Sequence, residues 1–323
     1  MRLAERVRPL AERPRHLIAA AVVVQWLSTL AVALQAEHGG WRFGEPERAA
    51  EILGGTTPAP IVLLNVLVLG PIAVVGAYRI AARVGGLALG AWTLLVWIAA
   101  PWLMHVLTLA SYDSTLSDRV LPLGLGLTPE PGYAAGVALL GAAALLTSPG
   151  ARAALLAGLA AGLAVVLTPP AIVFAAPAAA ALLAARRPRE LGLFVAALAP
   201  AILVAAVWRS YAFDELSLDQ LRDHIAGLRE YFWSQRLFQW LPLAGVVGVA
   251  RRSGPLAILL GGWFGLYLAL QATRAGTSFE NGELFRVLLP ALPAYVLLAA
   301  ALPLLVPTLV TRLGPLARPV EAP

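Results

Sequence analysis

Long apolar runs separated by short charged connectors set the pattern of the chain. Ten such runs stand out, over 17–36, 59–78, 86–108, 132–148, 152–167, 170–185, 191–208, 237–250, 255–273 and 287–310. A helix needs about 20 apolar residues to cross the hydrocarbon core. Most of the ten approach that length, so the pattern predicts an all-α, multi-pass membrane protein. Two runs almost merge at "LTPPA" (167–171), where consecutive prolines interrupt any helix. No Asp, Glu or Arg falls in the middle of a run. Ion and proton pathways usually carry such residues, so the chemistry is expected at a membrane surface.

Composition strengthens this reading. The 323 residues are 59% hydrophobic and 13% charged, where a soluble domain carries about 25% charged residues. All 24 basic residues are Arg. The pI of 10.3 would suit nucleic acid, but the arginines sit in connectors between apolar runs, where they orient a membrane protein. No nucleic-acid partner is expected. The absence of Cys excludes disulfides, thiolate metal sites and cysteine nucleophiles. The start "MRLAERVRPLAERPRH" before an apolar run resembles a signal sequence. The run 17–36 is longer than an ordinary signal core and ends in a poor cleavage site, so an uncleaved first helix is expected.

Charge orients the chain. With the N-terminus in the cytoplasm, the inside connectors hold 15 of the 24 arginines, among them Arg79, Arg83, Arg187, Arg251 and Arg252. Positive-inside bias is the topology rule, and it places both termini in the cytoplasm. The division is a basic N-terminus over 1–16, a transmembrane domain over 17–310 and a cytoplasmic tail over 311–323. Fourteen of the 18 acids then fall outside, although acids contribute little to orientation. The outer connectors 37–58, 109–131, 209–236 and 274–286 are therefore the chemistry-bearing ones.

The first of these contains "WRFGEPERAAEILGG" (41–55), with Glu45, Glu47 and Glu51 in seven positions. Pro46 suits a helix start and Gly54 its end, while Ala49, Ile52 and Leu53 form one apolar face. This is a short helix on the membrane surface, with Glu45 just before it. Its acids read either as a solvated helix start favoured by the dipole or as catalytic carboxylates. In the second connector, "SYDSTLSDRVLPLGLGLTPEPG" carries Asp113 and Asp118 as secondary acid candidates, and turn chemistry explains "YDS" and "TPEP" as well.

In the third connector, Ser217 and Gln220 have capping-box spacing. Leu218, Leu221, Ile225, Leu228 and Phe232 then follow at helical spacing, predicting a second interfacial helix with an aromatic belt. Arg286 opens the last run near phosphate depth, suited to bidentate phosphate contact or to snorkelling. His38, His105 and His224 lie near the outer face at no metal-ligand spacing, and no metal site is assigned. Walker, G-x-S-x-G and HExxH motifs are absent, leaving ATP-driven transport and common hydrolases without support.

A cytoplasmic start, one span and an acidic outer loop with a surface helix resemble the GT-C-type membrane glycosyltransferases. The segments "LREYFWSQRLFQWLPLAGVVGVARRS" and "ELFRVLLPALPAYVLLAAALPLLVP" are similar to actinobacterial proteins of that type. The resemblance implies a GT-C-like fold and an inverting transfer from a polyprenyl-phosphate-linked sugar, with an acid of the first outer loop as base. By position that base is Glu45, with Glu47 as the neighbouring choice. Arg286, Arg209 or Arg236 would supply positive charge to the departing phosphate. The usual loop holds an Asp, whereas "GEPER" offers only Glu, and the soluble C-terminal domain of many relatives has no counterpart here. The acceptor would be a cell-envelope glycan, lipid or protein, and the location a bacterial plasma membrane. No cofactor is required by the residues, though the resemblance leaves room for a divalent metal. A non-catalytic scaffold subunit of the same fold and a lipid or solute transporter are the competing classes.

Overall fold

The computed structural model describes residues 14–37, 59–111, 121–128, 130–208, 217–231, 237–274, 283–317 and 319. Among them the regular secondary structure is helical, with no β-strand. Five stretches are long and apolar enough to cross a membrane: Pro14–Ala33, Ile61–Val106, Pro188–Val207, Gly254–Thr273 and Phe285–Leu305. Shorter apolar helices fill the space between them. The protein is a helical membrane protein.

The chain enters through α1 (Pro14–Glu37), then α2 (Ala59–Leu64), a π turn (Asn65–Leu69) and α3 (Gly70–Ser111). The 46-residue apolar stretch Ile61–Val106 would measure about 69 Å as one straight helix, over twice the ~30 Å hydrocarbon core. It is broken instead. Gly85 and Gly86 leave helical geometry, Gly86 at φ 73°, a region glycine enters without a Cβ penalty. The limb 87–111 then folds back on 70–84, closely enough that a Cβ at Gly90 would stand 2.7 Å from Tyr78 Cε2.

Next come α4 (Pro131–Leu146) and α5 (Ala151–Leu167). The prolines that interrupt the pattern at 167–171 mark a real break: Thr168 is extended, and Pro169–Phe174 forms a 3-10 turn before α6 (Ala175–Ala184). The remaining elements are α7 (Pro188–Trp208), α8 (Leu218–Tyr231), α9 (Leu237–Ala250), α10 (Gly254–Thr273) and α11 (Glu283–Leu288). A 3-10 turn Leu289–Ala291 leads to α12 (Leu292–Ala300), and Leu302–Leu305 precedes α13 (Pro307–Leu313). The C-terminal segment is packed rather than free over part of its length. The turn Gly314–Ala317 lies against α3, with Leu316 and Ala317 buried.

Lipid and core faces differ by residue size rather than polarity. Large apolar side chains such as Leu203 and Val207 point outward, Val207 at 79% exposure. Small residues line the helix contacts, because in lipid association depends on close packing. Gly158 and Gly162 on α5 form a small-xxx-small pair: a Cβ at Gly158 would overlap the Phe194 carbonyl oxygen of α7, and one at Gly162 would come 2.9 Å from Ala201 Cβ. Gly245 of α9 sits as tightly on the Leu298 carbonyl of α12. At the centre, Phe174 meets Trp263 edge-on, with ring centroids 5.3 Å apart.

Candidate functional site

The two ends of the bundle carry different chemistry. α4 spans between them, with Glu130 before its N-terminus and Thr147 after its C-terminus. The Glu130 end is the one the arginine distribution assigns to the outside.

At that end a short connector is held in place by backbone and buried groups. Gly126, at φ 75°, turns the chain so that Leu127 N donates to Pro122 O at 2.9 Å and Gly126 N to Leu123 O at 3.2 Å. The Tyr133 ring packs so closely that a Cβ at Gly126 would come 2.9 Å from it. Asn65, buried at the start of the π turn, donates from Nδ2 to Thr128 O at 3.1 Å. This bond accounts for a polar residue inside an apolar run: Asn65 fixes the connector. Glu130 is thereby delivered to the α4 N-cap position, with Pro131 at N1.

Opposite stands Arg286 on α11. Its Nη1 lies 3.6 Å from Glu130 Oε1, with both side chains partly open to solvent. The two elements are pressed together at Gly132, where a Cβ would meet Leu289 Cβ at 3.2 Å and Arg286 O at 3.4 Å. One helical turn inward from each charge, Leu289 and Tyr133 line a small cavity of about 40 Å³. Its walls are mostly apolar, including Trp97, Pro101 and Val296, and Gln25 and Ser28 supply polar groups. Gln25 is buried, meets Tyr133, and leaves its Oε1 without a protein partner. The arrangement is an apolar cavity with a partly exposed ion pair one turn from two of its lining residues.

The interfacial helix predicted around 218–232 is present as α8, with Leu221 and Ile225 half-buried, Arg222 and Asp223 exposed, and Leu218 also exposed. Its N-terminus differs from the capping-box expectation. Ser217 N donates to Thr273 O at 2.8 Å, and the Gln220 Oε1 that should have accepted it is buried without a partner. The end of α10 has outcompeted the local cap. His224 Nδ1 also meets Ala272 O, at 2.6 Å. Among the described residues, no group of three or more His, Asp or Glu gathers as a metal site.

Of the residues singled out in the sequence, Arg286 is described and exposed. Glu45, Glu47, Asp113, Asp118, Arg209 and Arg236 lie outside the described residues. Glu130 was absorbed into a turn by sequence reasoning; its pairing with Arg286 depends on two segments 156 positions apart and leaves no local signature. Comparisons with family models, with curated proteins and with solved structures found no match.

Proposed function

We propose that the chain is a GT-C-like membrane glycosyltransferase of ten spans in a bacterial plasma membrane, both termini cytoplasmic. It moves a sugar from a polyprenyl-phosphate donor to an acceptor hydroxyl on the extracytoplasmic face, inverting the anomeric centre. The observation that carries the reading is the Arg286–Glu130 pair one turn from residues lining the apolar cavity. A polyprenyl-phosphate sugar has the same polarity: a charged phosphate at headgroup depth and an apolar tail below it. Most acids of the chain fall in the connectors assigned to this face.

In the reaction the acceptor oxygen attacks C1 while a carboxylate, Glu45 or its neighbour Glu47, takes the hydroxyl proton. The C1–O bond to phosphate breaks and its electron pair leaves with the lipid phosphate. A single base on the face opposite the leaving group suffices for inversion. Arg286, exchanging Glu130 for phosphate, stabilises the charge on the leaving group. The test is turnover by purified protein with a panel of polyprenyl-phosphate sugars, scoring lipid-phosphate release together with transfer. Turnover of at least one donor is expected; none across the panel would favour the scaffold reading.

A further inference from the structure

The opposite end of the bundle holds a second cavity, independent of the proposed transfer reaction. It has a volume of about 250 Å³ and is lined by Arg83, Thr147, Arg187 and Ser253 over a leucine-rich floor. Four helix ends converge there: the limb 70–84, the C-termini of α4 and α6, and the N-terminus of α10. The α4 helix alone, at 16 residues, separates it from Glu130 by about 24 Å.

Its electrostatics are unbalanced. Arg187 caps the end of α4, with Nη1 donating to Leu146 O at 2.8 Å and Nη2 to Ser148 O at 2.6 Å, and it pairs with Glu190. Its Nε is buried without a protein partner, and burial pulls its guanidinium below the ordinary arginine range. Arg83 donates through Nη1 to the Thr147 hydroxyl, which itself bonds Ala144 O at 2.6 Å. Among the described residues no carboxylate pairs with Arg83, and it feels the like charges of Arg79 and Arg187. Two guanidiniums thus line the cavity, and among the described residues one carboxylate, Glu190, pairs with one of them. Capping explains Arg187. It does not explain Arg83, half-buried near two other cations and held, among the described residues, by a hydroxyl.

We infer that this cavity binds a phosphate-class anion, with Arg83 as its guanidinium ligand and the positive charge of Arg187 and the Thr147 and Ser253 hydroxyls beside it. Guanidinium forks match phosphate oxygens in two-point contact. The α10 N-terminus adds a favourable dipole rather than free N–H groups: Pro255 has none, Leu256 N donates to Ser253 Oγ at 3.4 Å and Ala257 N to Ser253 O at 3.0 Å. A leucine floor beneath a cationic rim also suits a lipid headgroup with the start of its acyl chains. The chemistry is the same for a soluble phosphate and for an anionic phospholipid.

The test separates those sources. Full-length protein is placed in phosphatidylcholine nanodiscs and titrated with inorganic pyrophosphate at constant ionic strength. In parallel, nanodiscs containing phosphatidylglycerol are examined by native mass spectrometry for retained lipid. Binding of at least one probe is expected, weakened about tenfold in Arg83→Gln, the loss of one charge-assisted contact. Arg79→Gln, exposed and outside the cavity lining, should weaken it less than threefold. Ala185→Phe fills the cavity without changing charge and should abolish binding, so it decides the matter if Arg83→Gln fails to fold. Binding of pyrophosphate identifies a soluble phosphate, and retention of phosphatidylglycerol alone identifies a lipid. Absence of both, or binding indifferent to Ala185→Phe, overturns the inference.

Discussion

Arg286 Nη1 stands 3.6 Å from Glu130 Oε1, one turn from the cavity-lining Leu289 and Tyr133, and both side chains remain partly exposed. A surface pair of this kind is worth about 0–1 kcal/mol, so it holds little of the fold together and opens at little cost. That is the property the proposed donor site requires of Arg286, which would release a carboxylate to take a phosphate.

Glu130→Gln should therefore change stability by no more than about 1 kcal/mol. Arg286→Lys keeps the charge but loses the two-point fork, and use of lipid-phosphate donor should fall about tenfold. Steady-state donor kinetics beside thermal melts in detergent separate the two effects. Unchanged kinetics in both Arg286→Lys and Arg286→Gln would return this residue to anchoring its helix.

The packing account is tested at glycines. Gly245→Ala drives a Cβ into the Leu298 carbonyl and should cost about 1–3 kcal/mol, as overpacking does. Gly141 in α4 has open space around it, so Gly141→Ala should be neutral or stabilise by up to about 1 kcal/mol through helix propensity. Thermal midpoints in one detergent compare them. Equal melting of the two variants would contradict the close approach of α9 and α12.

Orientation is testable because the chain lacks Cys. Single cysteines at Ser114 and Ser217 should react with an impermeant thiol reagent in intact cells, and one at Arg252, exposed beside the second cavity, should not. Ser253 is a poorer probe, since its hydroxyl caps α10. The reverse pattern would put every proposed transfer residue in the cytoplasm.

Helix positions were largely legible because twenty-residue apolar periodicity is a strong local signal: α5 begins one residue before its expected bound and ends where expected, and the break at Pro169–Pro170 lies where the prolines put it. Relations between distant segments were not. The pairing of Glu130 with Arg286, the capture of Ser217 N by Thr273 O and the convergence of Arg83 with Arg187 all arise from tertiary packing. Sequence spacing assigned Ser217 a local cap, and a carbonyl exposed at the end of α10 replaced it. Asn65, polar within an apolar run, takes its structural role from its bond to Thr128 O, 63 positions away.

The most direct measurement is donor turnover by Glu45→Gln. Gln keeps size and hydrogen bonding while removing the ability to accept a proton, and a positioned general base is worth about 10²–10⁴ in rate. Lipid-phosphate release and glycosyl transfer should fall together by at least the lower figure, with expression and melting unchanged. Glu47→Gln distinguishes the two acids of "GEPER", and Glu51→Gln, four positions further along, should be mild. Turnover that survives all three substitutions would contradict the account, leaving those carboxylates as the solvated start of a surface helix.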